Sequence, residues 1–282
     1  MIYLWERIFV TMNNPTILVT NDDGIESPGL AAAAAGLDGL GSLLIVAPAD
    51  QQTSMGRCRS AKGEDAGVLR KRKVTYGDRE WDGIAANATP ALTVEYGIQE
   101  IAESPIALVV SGINYGENVG TCVTVSGTIG AALEAAEHGI PALAISLELA
   151  GTEYHSFSQP VNFEAAAFFT RYFAEMVLKA ELPHDVDVLK IEIPSSATPQ
   201  SKWVVARQDR LVYYHPKVQK RLDPFVGKGA IKHQPKKGRY TANNTDAYAL
   251  AQGWVSVTPL SLDLTSRVSL DDLTDILTGS AS

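Results

Sequence analysis

The chain has little sulfur and little histidine. Two cysteines, Cys58 and Cys122, in 282 residues cannot build a disulfide framework or a thiolate metal cluster, so the fold has to rest on an ordinary core in a reducing, cytoplasmic setting. Five histidines stand at 138, 155, 184, 215 and 233, and no two have metal-ligand spacing. Excess positive charge is also missing: the formal net charge is -8, which gives no general field for a polyanion and argues against DNA binding. Long apolar runs are absent as well. The opening MIYLWERIFV is interrupted by Glu6 and Arg7, falls short of the roughly 20 apolar residues of a membrane span, and lacks the basic start of an export signal. Residues 1–11 read either as a loose extension before Met12 or as an added edge strand, within an N-terminal extension of residues 1–15. The sequence contains no G-x-x-x-x-G-K-[ST] and no intact G-x-G-x-x-G, so neither a P-loop nor a standard dinucleotide turn is supported.

What is present alternates between strand and helix. TILVT, Thr16 to Thr20, is a short β-favouring run of the kind buried on both faces of a parallel sheet. A turn at Asn21 to Gly24 leads to SPGLAAAAAGLDGL, a helix with Ser27 as N-cap and Pro28 in its first turn. The strand SLLIVAP ends at Pro48, and residues 51–80 predict a polar loop and a hairpin-like excursion around VLRKRKVTY. A helix from about Pro90 to Ile98, the strand IALVVSG, a Gly- and Asn-rich loop, the helix TIGAALEAAEHG and the strand PALAISLE follow. A helix over Phe163 to Ala180 and the strand VDVLKIEIP complete a pattern that predicts an α/β, Rossmann-like three-layer fold with a mostly parallel sheet. Beyond Pro194 the pattern predicts antiparallel strands at WVVARQ and LVYYHP, an irregular basic stretch from Lys217 to Tyr240, a helix at TDAYALAQG and a last strand at WVSVTPLSLDL. With neither repeat nor linker, residues 16–282 read as one domain with 200–265 as a C-terminal antiparallel extension.

Three loops place oxygen-bearing side chains just past a buried strand: Asp22 and Asp23, then Thr53 and Ser54, then Asn114. In a parallel sheet all three emerge at the carboxyl edge, where open α/β sheets bind ligands. Carboxylate, hydroxyl and amide oxygens without Cys or His suit a hard cation such as magnesium or manganese. The competing reading is that Asn21 to Gly24 is only a turn held by side-chain hydrogen bonds. Ser126-Gly127-Thr128 opens a helix and is either a phosphate cradle or a plain N-cap.

VTNDDGIESPGL, VAPADQQTSMG, VVSGINYGENVG, SGTIGAALEAAEHGIPALAISL and TDAYALAQGWVSVTPLSLDLT together resemble the SurE family of survival proteins, which act as 5'- and 3'-nucleotidases. The resemblance runs in order from about Ile17 to Thr265. It implies one divalent metal ion per subunit, Mg or Mn, held by Asp22, Asp23, Thr53 and Asn114, with Ser54 as the alternative to Thr53. It also implies catalytic roles for Asp22 and Asp23, and phosphate contacts from Asn21, Asn114, Ser126, Gly127 and Thr128. The implied reaction is hydrolysis of nucleoside monophosphates, either by an oriented water or through an aspartyl-phosphate. A homodimer or homotetramer is implied too, because the family uses C-terminal extensions in assembly. Departures from the family pattern are Thr53 for the usual serine, Ala88 and Leu92 in the GTPAD block, and Thr121-Cys122 where acidic residues are common. The competing functional reading is a non-catalytic nucleotide-binding or assembly protein that retains the fold. The basic run Lys217, Lys220, Arg221, Lys228, Lys232, Lys236, Lys237 and Arg239 reads as nucleotide steering or, with more support, as a solvated loop or subunit arm. Trp203, Tyr213, Tyr214 and Trp254 are candidates for base stacking or for packing.

Overall fold

A computed structural model describes residues 14–149, 161–221, 223, 225–226 and 229–280. The opening segment through residue 13, His155 and Lys228 lie outside these residues. In chain order the strands and helices are β1 (Thr16–Thr20), α1 (Pro28–Leu37), β2 (Ser42–Pro48), β3 (Leu69–Tyr76) and β4 (Arg79–Ala86). Then come α2 (Pro90–Tyr96), β5 (Ile106–Tyr115), α3 (Gly127–Glu137), β6 (Ala142–Leu147), α4 (Glu164–Lys179) and β7 (Val188–Ile193). The remainder is β8 (Trp203–Val205), β9 (Tyr214–Gln219), β10 (Ala230–Pro235), α5 (Asp246–Ala251), β11 (Val255–Leu260) and α6 (Leu270–Thr278).

Nine strands form one sheet in the order β3-β4-β2-β1-β5-β6-β7-β11-β8. β1 pairs parallel with β2 and β5, β5 with β6, and β6 with β7, so these strands send their carboxyl ends to one edge. α1 and α4 pack together on one face and α2 and α3 on the other, giving the three layers expected. β1 carries residues of both cores. Ile17 and Val19 belong to the core on the α1–α4 side and Leu18 to the core on the α2–α3 side, and each is completely buried, about 1.5–3 kcal/mol per side chain. Ala31 to Ala34 of α1 are buried too, and their short side chains let the helix lie close to the sheet. Ser27 caps α1 by accepting from Gly29 N–H, with Pro28 as the first helical residue.

Several expectations need correction. The excursion after residue 51 is a β3–β4 hairpin, but β4 also pairs parallel with β2 and so belongs to the main sheet. β8 runs parallel to its neighbour β11, not antiparallel, while β11 itself is antiparallel to β7. The stretch from Lys217 to Tyr240, expected to be irregular, contains β10, paired antiparallel with β9 in a separate two-stranded ladder. α6 was not anticipated; Ser269 caps it and Gly279 ends it in the left-handed region. Among the described residues no helix is long and apolar enough to cross a membrane.

Candidate active site at the carboxyl edge

The turn after β1 is built by Asn21. Its fully buried side chain donates to the Gly24 carbonyl at 3.0 Å and accepts from Gly24 N–H at 3.2 Å. Asn21 thus holds the turn. The Asx hydrogen bonds that would have made this segment only a turn belong to Asn21, which leaves both aspartates aimed elsewhere.

Asp22 and Asp23 are 4% and 5% exposed. Asp23 accepts from the Tyr115 N–H at 2.8 Å and from Gln51 Nε2 at 2.9 Å, so the end of β5 and the loop after β2 both orient its carboxylate. Asp22 accepts from the Thr128 hydroxyl at 2.5 Å and lies against the first turn of α3. Gly127 makes this approach possible: a Cβ there would stand 2.7 Å from Asp22 Cβ and 2.8 Å from its Oδ2. A carboxylate at a helix N-terminus is favoured by the free N–H groups and the helix dipole. Even so, burial, and after it the charge of Asp23, pushes the Asp22 carboxyl up to about 7, against the lowering effect of the Thr128 bonds. A divalent cation between the two carboxylates would relieve that repulsion, and an all-oxygen donor set with a buried anionic pair fits a hard cation.

Asn114 lies within β5 instead of beyond its end. The β5–β6 ladder slips between Ser111 and Asn114, and the Gly112–Ile113 peptide is cis. Such a break in a ladder re-aims the side chains next to it. The half-buried Asn114 donates to the Gly116 carbonyl at 2.7 Å and directly precedes Tyr115, whose N–H holds Asp23.

The loop after β2 reaches the same place. Gln52 N–H donates to the Asp22 carbonyl at 2.6 Å, next to exposed Thr53 and Ser54, the latter at φ 65°. Ser126 is the N-cap of α3, accepting from Ile129 N–H at 3.2 Å, and its own hydroxyl proton stays available to donate. The reading as cradle and the reading as cap therefore coexist at this residue. Thr128 differs, since its hydroxyl is already given to Asp22.

Behind these loops lies a charged network that sequence reasoning missed. Lys190, fully buried, meets Asp246 at 2.8 Å, Glu192 at 3.5 Å and the Asn118 carbonyl at 2.9 Å. Glu192 accepts from Asn118 N–H at 2.9 Å, Asp246 from Gly120 N–H at 3.2 Å, and Tyr213 donates to Glu117 at 2.9 Å. The available signal was Lys190 and Glu192 two residues apart on one face of a strand otherwise apolar. An ion pair thus ties α5 to β7, and hydrogen bonds to the Asn118 and Gly120 backbone tie both to the segment that runs from Asn114 to α3. Tyr213 is in this network, Trp203 stacks edge-on against Phe173, and Trp254 packs on Tyr248 under Lys202, so packing accounts for the aromatic candidates. Cys58 and Cys122 are both free thiols, and burial pushes the Cys122 thiol up.

A buried carboxylate pair, with one member against a helix N-terminus and with an asparagine and a hydroxyl-bearing loop nearby at the carboxyl edge of a parallel sheet, defines a Rossmann-like α/β protein with an acidic site. The family model described as "Survival protein SurE" matches residues 17–215. A 5'-nucleotidase SurE of Thermococcus gammatolerans is 39% identical over 271 residues, which is 93% of this chain and 96% of that protein. One from Archaeoglobus fulgidus is 39% identical over 259 residues, 90% and 94% of the two chains. The crystal structure of the Aquifex aeolicus SurE protein superposes with a TM-score of 0.71 at 33% identity, covering 95% of this chain and all of that one. The chain belongs to the SurE family.

Proposed function

We propose that this protein is a divalent-metal-dependent phosphatase that hydrolyses nucleoside 5'-monophosphates to nucleoside and phosphate, with 3'-monophosphates as candidate further substrates. The observation that carries the reading is the buried Asp22–Asp23 pair at the end of β1, with Asp22 against the first turn of α3 and Asp23 held by Gln51 and the Tyr115 N–H. The names of the relatives support the substrate class. Asp22, Asp23, Asn114 and Thr53, with Ser54 as its alternative, would hold one Mg or Mn ion, which when bound would supply charge neutralisation at phosphate and acidify a water.

The chain's own groups divide the remaining work. Asn21 fixes the turn, and Gln51 and the Tyr115 N–H hold Asp23 in one orientation. Ser126 O–H and the Gly127 N–H, which helix geometry leaves without an intrahelical acceptor, donate to phosphoryl oxygens. Asn114 borders the same space. Thr128 acts one step back, on Asp22. An aspartate then orients the attacking water and accepts its proton.

Assembly as a homodimer or homotetramer is part of the same reading. α6 exposes Leu270, Leu273, Ile276 and Leu277, and the β9–β10 arm exposes Val218 and Ile231. Apolar rows of this kind on a helix and an arm suit burial against a second copy. The two free thiols suit a reducing, cytoplasmic compartment.

The test is phosphate release from nucleoside 5'- and 3'-monophosphates by metal-stripped protein, with magnesium, manganese or nothing added back. Metal-dependent release that disappears in Asp23→Ala is expected. Folded protein that releases no phosphate with either metal would overturn the enzyme reading in favour of a nucleotide-binding or assembly protein.

A further inference from the structure

The loop that carries Thr53 is fastened on both sides of its tip. Before it, Gln52 N–H bonds to Asp22; after it, Gly56 N–H donates to the Val125 carbonyl at 2.9 Å, just ahead of α3. Only Thr53, Ser54 and Met55 lie between, all exposed. The two residues that follow at 57 and 59 are arginines, and both turn onto one carboxylate. Arg57 Nε meets Glu134 Oε2 at 2.9 Å, and Arg59 Nη2 meets Glu134 Oε1 at 2.7 Å. Arg59 also reaches Glu137 at 2.8 Å and Glu95 at 3.5 Å, and Arg57 pairs with Glu137. Glu134 is completely buried in the middle of α3.

Glu95, Glu134 and His138 bring three ligand-type atoms within 4.8 Å of one another, but the two guanidinium groups already supply the compensating charge there. The cluster is an ion-paired clamp. Its backbone contact is equally close, since a Cβ on Gly130 of α3 would stand 2.0 Å from the Gly56 carbonyl oxygen.

We infer that the Arg57/Arg59 clamp on Glu134 positions the Thr53 hydroxyl by fastening the loop after β2 to α3, the same helix whose first turn holds Asp22. Hydroxyl and carboxylate are then carried on one rigid body, with the distance between them set by α3. Neither arginine touches the proposed ligand set, so both act through Thr53. This inference rests on the metal-site reading given above.

The test is Mn2+ binding, measured by titration calorimetry on the full chain, with hydrogen exchange of the amides at 52–56 as a second readout. Arg57→Met/Arg59→Met is expected to weaken Mn2+ about tenfold, comparable to Thr53→Ala, and to accelerate exchange in the loop. Combining it with Thr53→Ala should weaken binding no further than Thr53→Ala alone, because the arginines act through that residue. Arg57→Lys/Arg59→Lys, which keeps charge and loses the planar fork, should fall between. Adding Glu134→Gln to the methionine pair removes the unpaired carboxylate and keeps the test valid if the pair alone folds poorly. Affinity in the methionine variants within twofold of the unaltered protein, or losses that multiply with Thr53→Ala, would overturn the clamp. Asp23→Ala separates the two failures. Undiminished Mn2+ binding in Asp23→Ala overturns the metal site itself, and loss there with normal binding in the arginine variants overturns only the clamp.

Discussion

Replacing Lys190 by methionine tests the buried network behind the site most severely. The side chain is fully buried and is the cation shared by Asp246 at 2.8 Å and Glu192 at 3.5 Å. Breaking a buried pair by removing one partner costs about 3–5 kcal/mol, since the remaining charge stays buried. Some compensation survives: Asp246 still accepts from Gly120, Asp209 and Ala247 N–H groups, and Glu192 from Asn118 N–H. The lower part of that range, about 3 kcal/mol, is therefore expected at pH 8 by urea denaturation. The deficit should also depend on pH. Burial already pushes Glu192 up to about 7 in spite of Lys190, which lowers it. An acid whose folded pKa lies above its unfolded value binds protons more tightly when folded, so stability falls as pH rises from about 4.5 through 7. Without Lys190 that pKa climbs further, and the deficit should widen from pH 5 to pH 8. Lys190→Met/Glu192→Gln should recover part of it. A deficit below about 1 kcal/mol, or one that is flat between pH 5 and pH 8, would refute the assignment of a compensating charge to Lys190.

Asp22→Asn should stabilise the metal-free protein above pH 7 by about 1–3 kcal/mol, with the gain shrinking as pH falls from about 7 and nearly gone by about 4, because the raised Asp22 pKa destabilises the fold as pH rises between those values. Thermal melts across pH with a chelator present check this, and phosphate release should be lost in the same variant. Gly127→Ala forces a methyl within 2.8 Å of the Asp22 carboxylate and should lower kcat about 10–100-fold with the far-ultraviolet circular dichroism unchanged. Leu273→Asp/Ile276→Asp on α6 should reduce the particle mass seen by light scattering if α6 is an assembly surface.

The central fold could be read because local signals and tertiary structure agree there. TILVT and SLLIVAP are β1 and β2 to the residue, as expected for runs buried on both faces, and Ser27-Pro28 marks the start of α1. The edges could not be read in the same way. WVV is only three residues long and pairs with β11, some fifty positions later, so nothing local encodes its direction. β10 hides in a basic stretch because the partner that makes it a strand, β9, is not visible in its own composition. At the site, the Asp22–Asp23 pair stood out by type and position. Gln51, the bond from Thr128 to Asp22 and the Glu134 clamp did not, because these roles consist in contacts with residues 28 to 106 positions away.

The sheet's order has a consequence for how the protein behaves when crowded or partly unfolded. One end is β3, whose Lys71, Arg72 and Lys73 are exposed one after another, and the other is β8, three residues long. A free strand edge is a template on which a stranger's strand can grow, and natural proteins blunt it with charge or brevity. Among the described residues this sheet has one remedy at each end. Growth of the sheet from molecule to molecule is thereby discouraged, which confines productive self-recognition to surfaces that carry side chains instead of bare backbone.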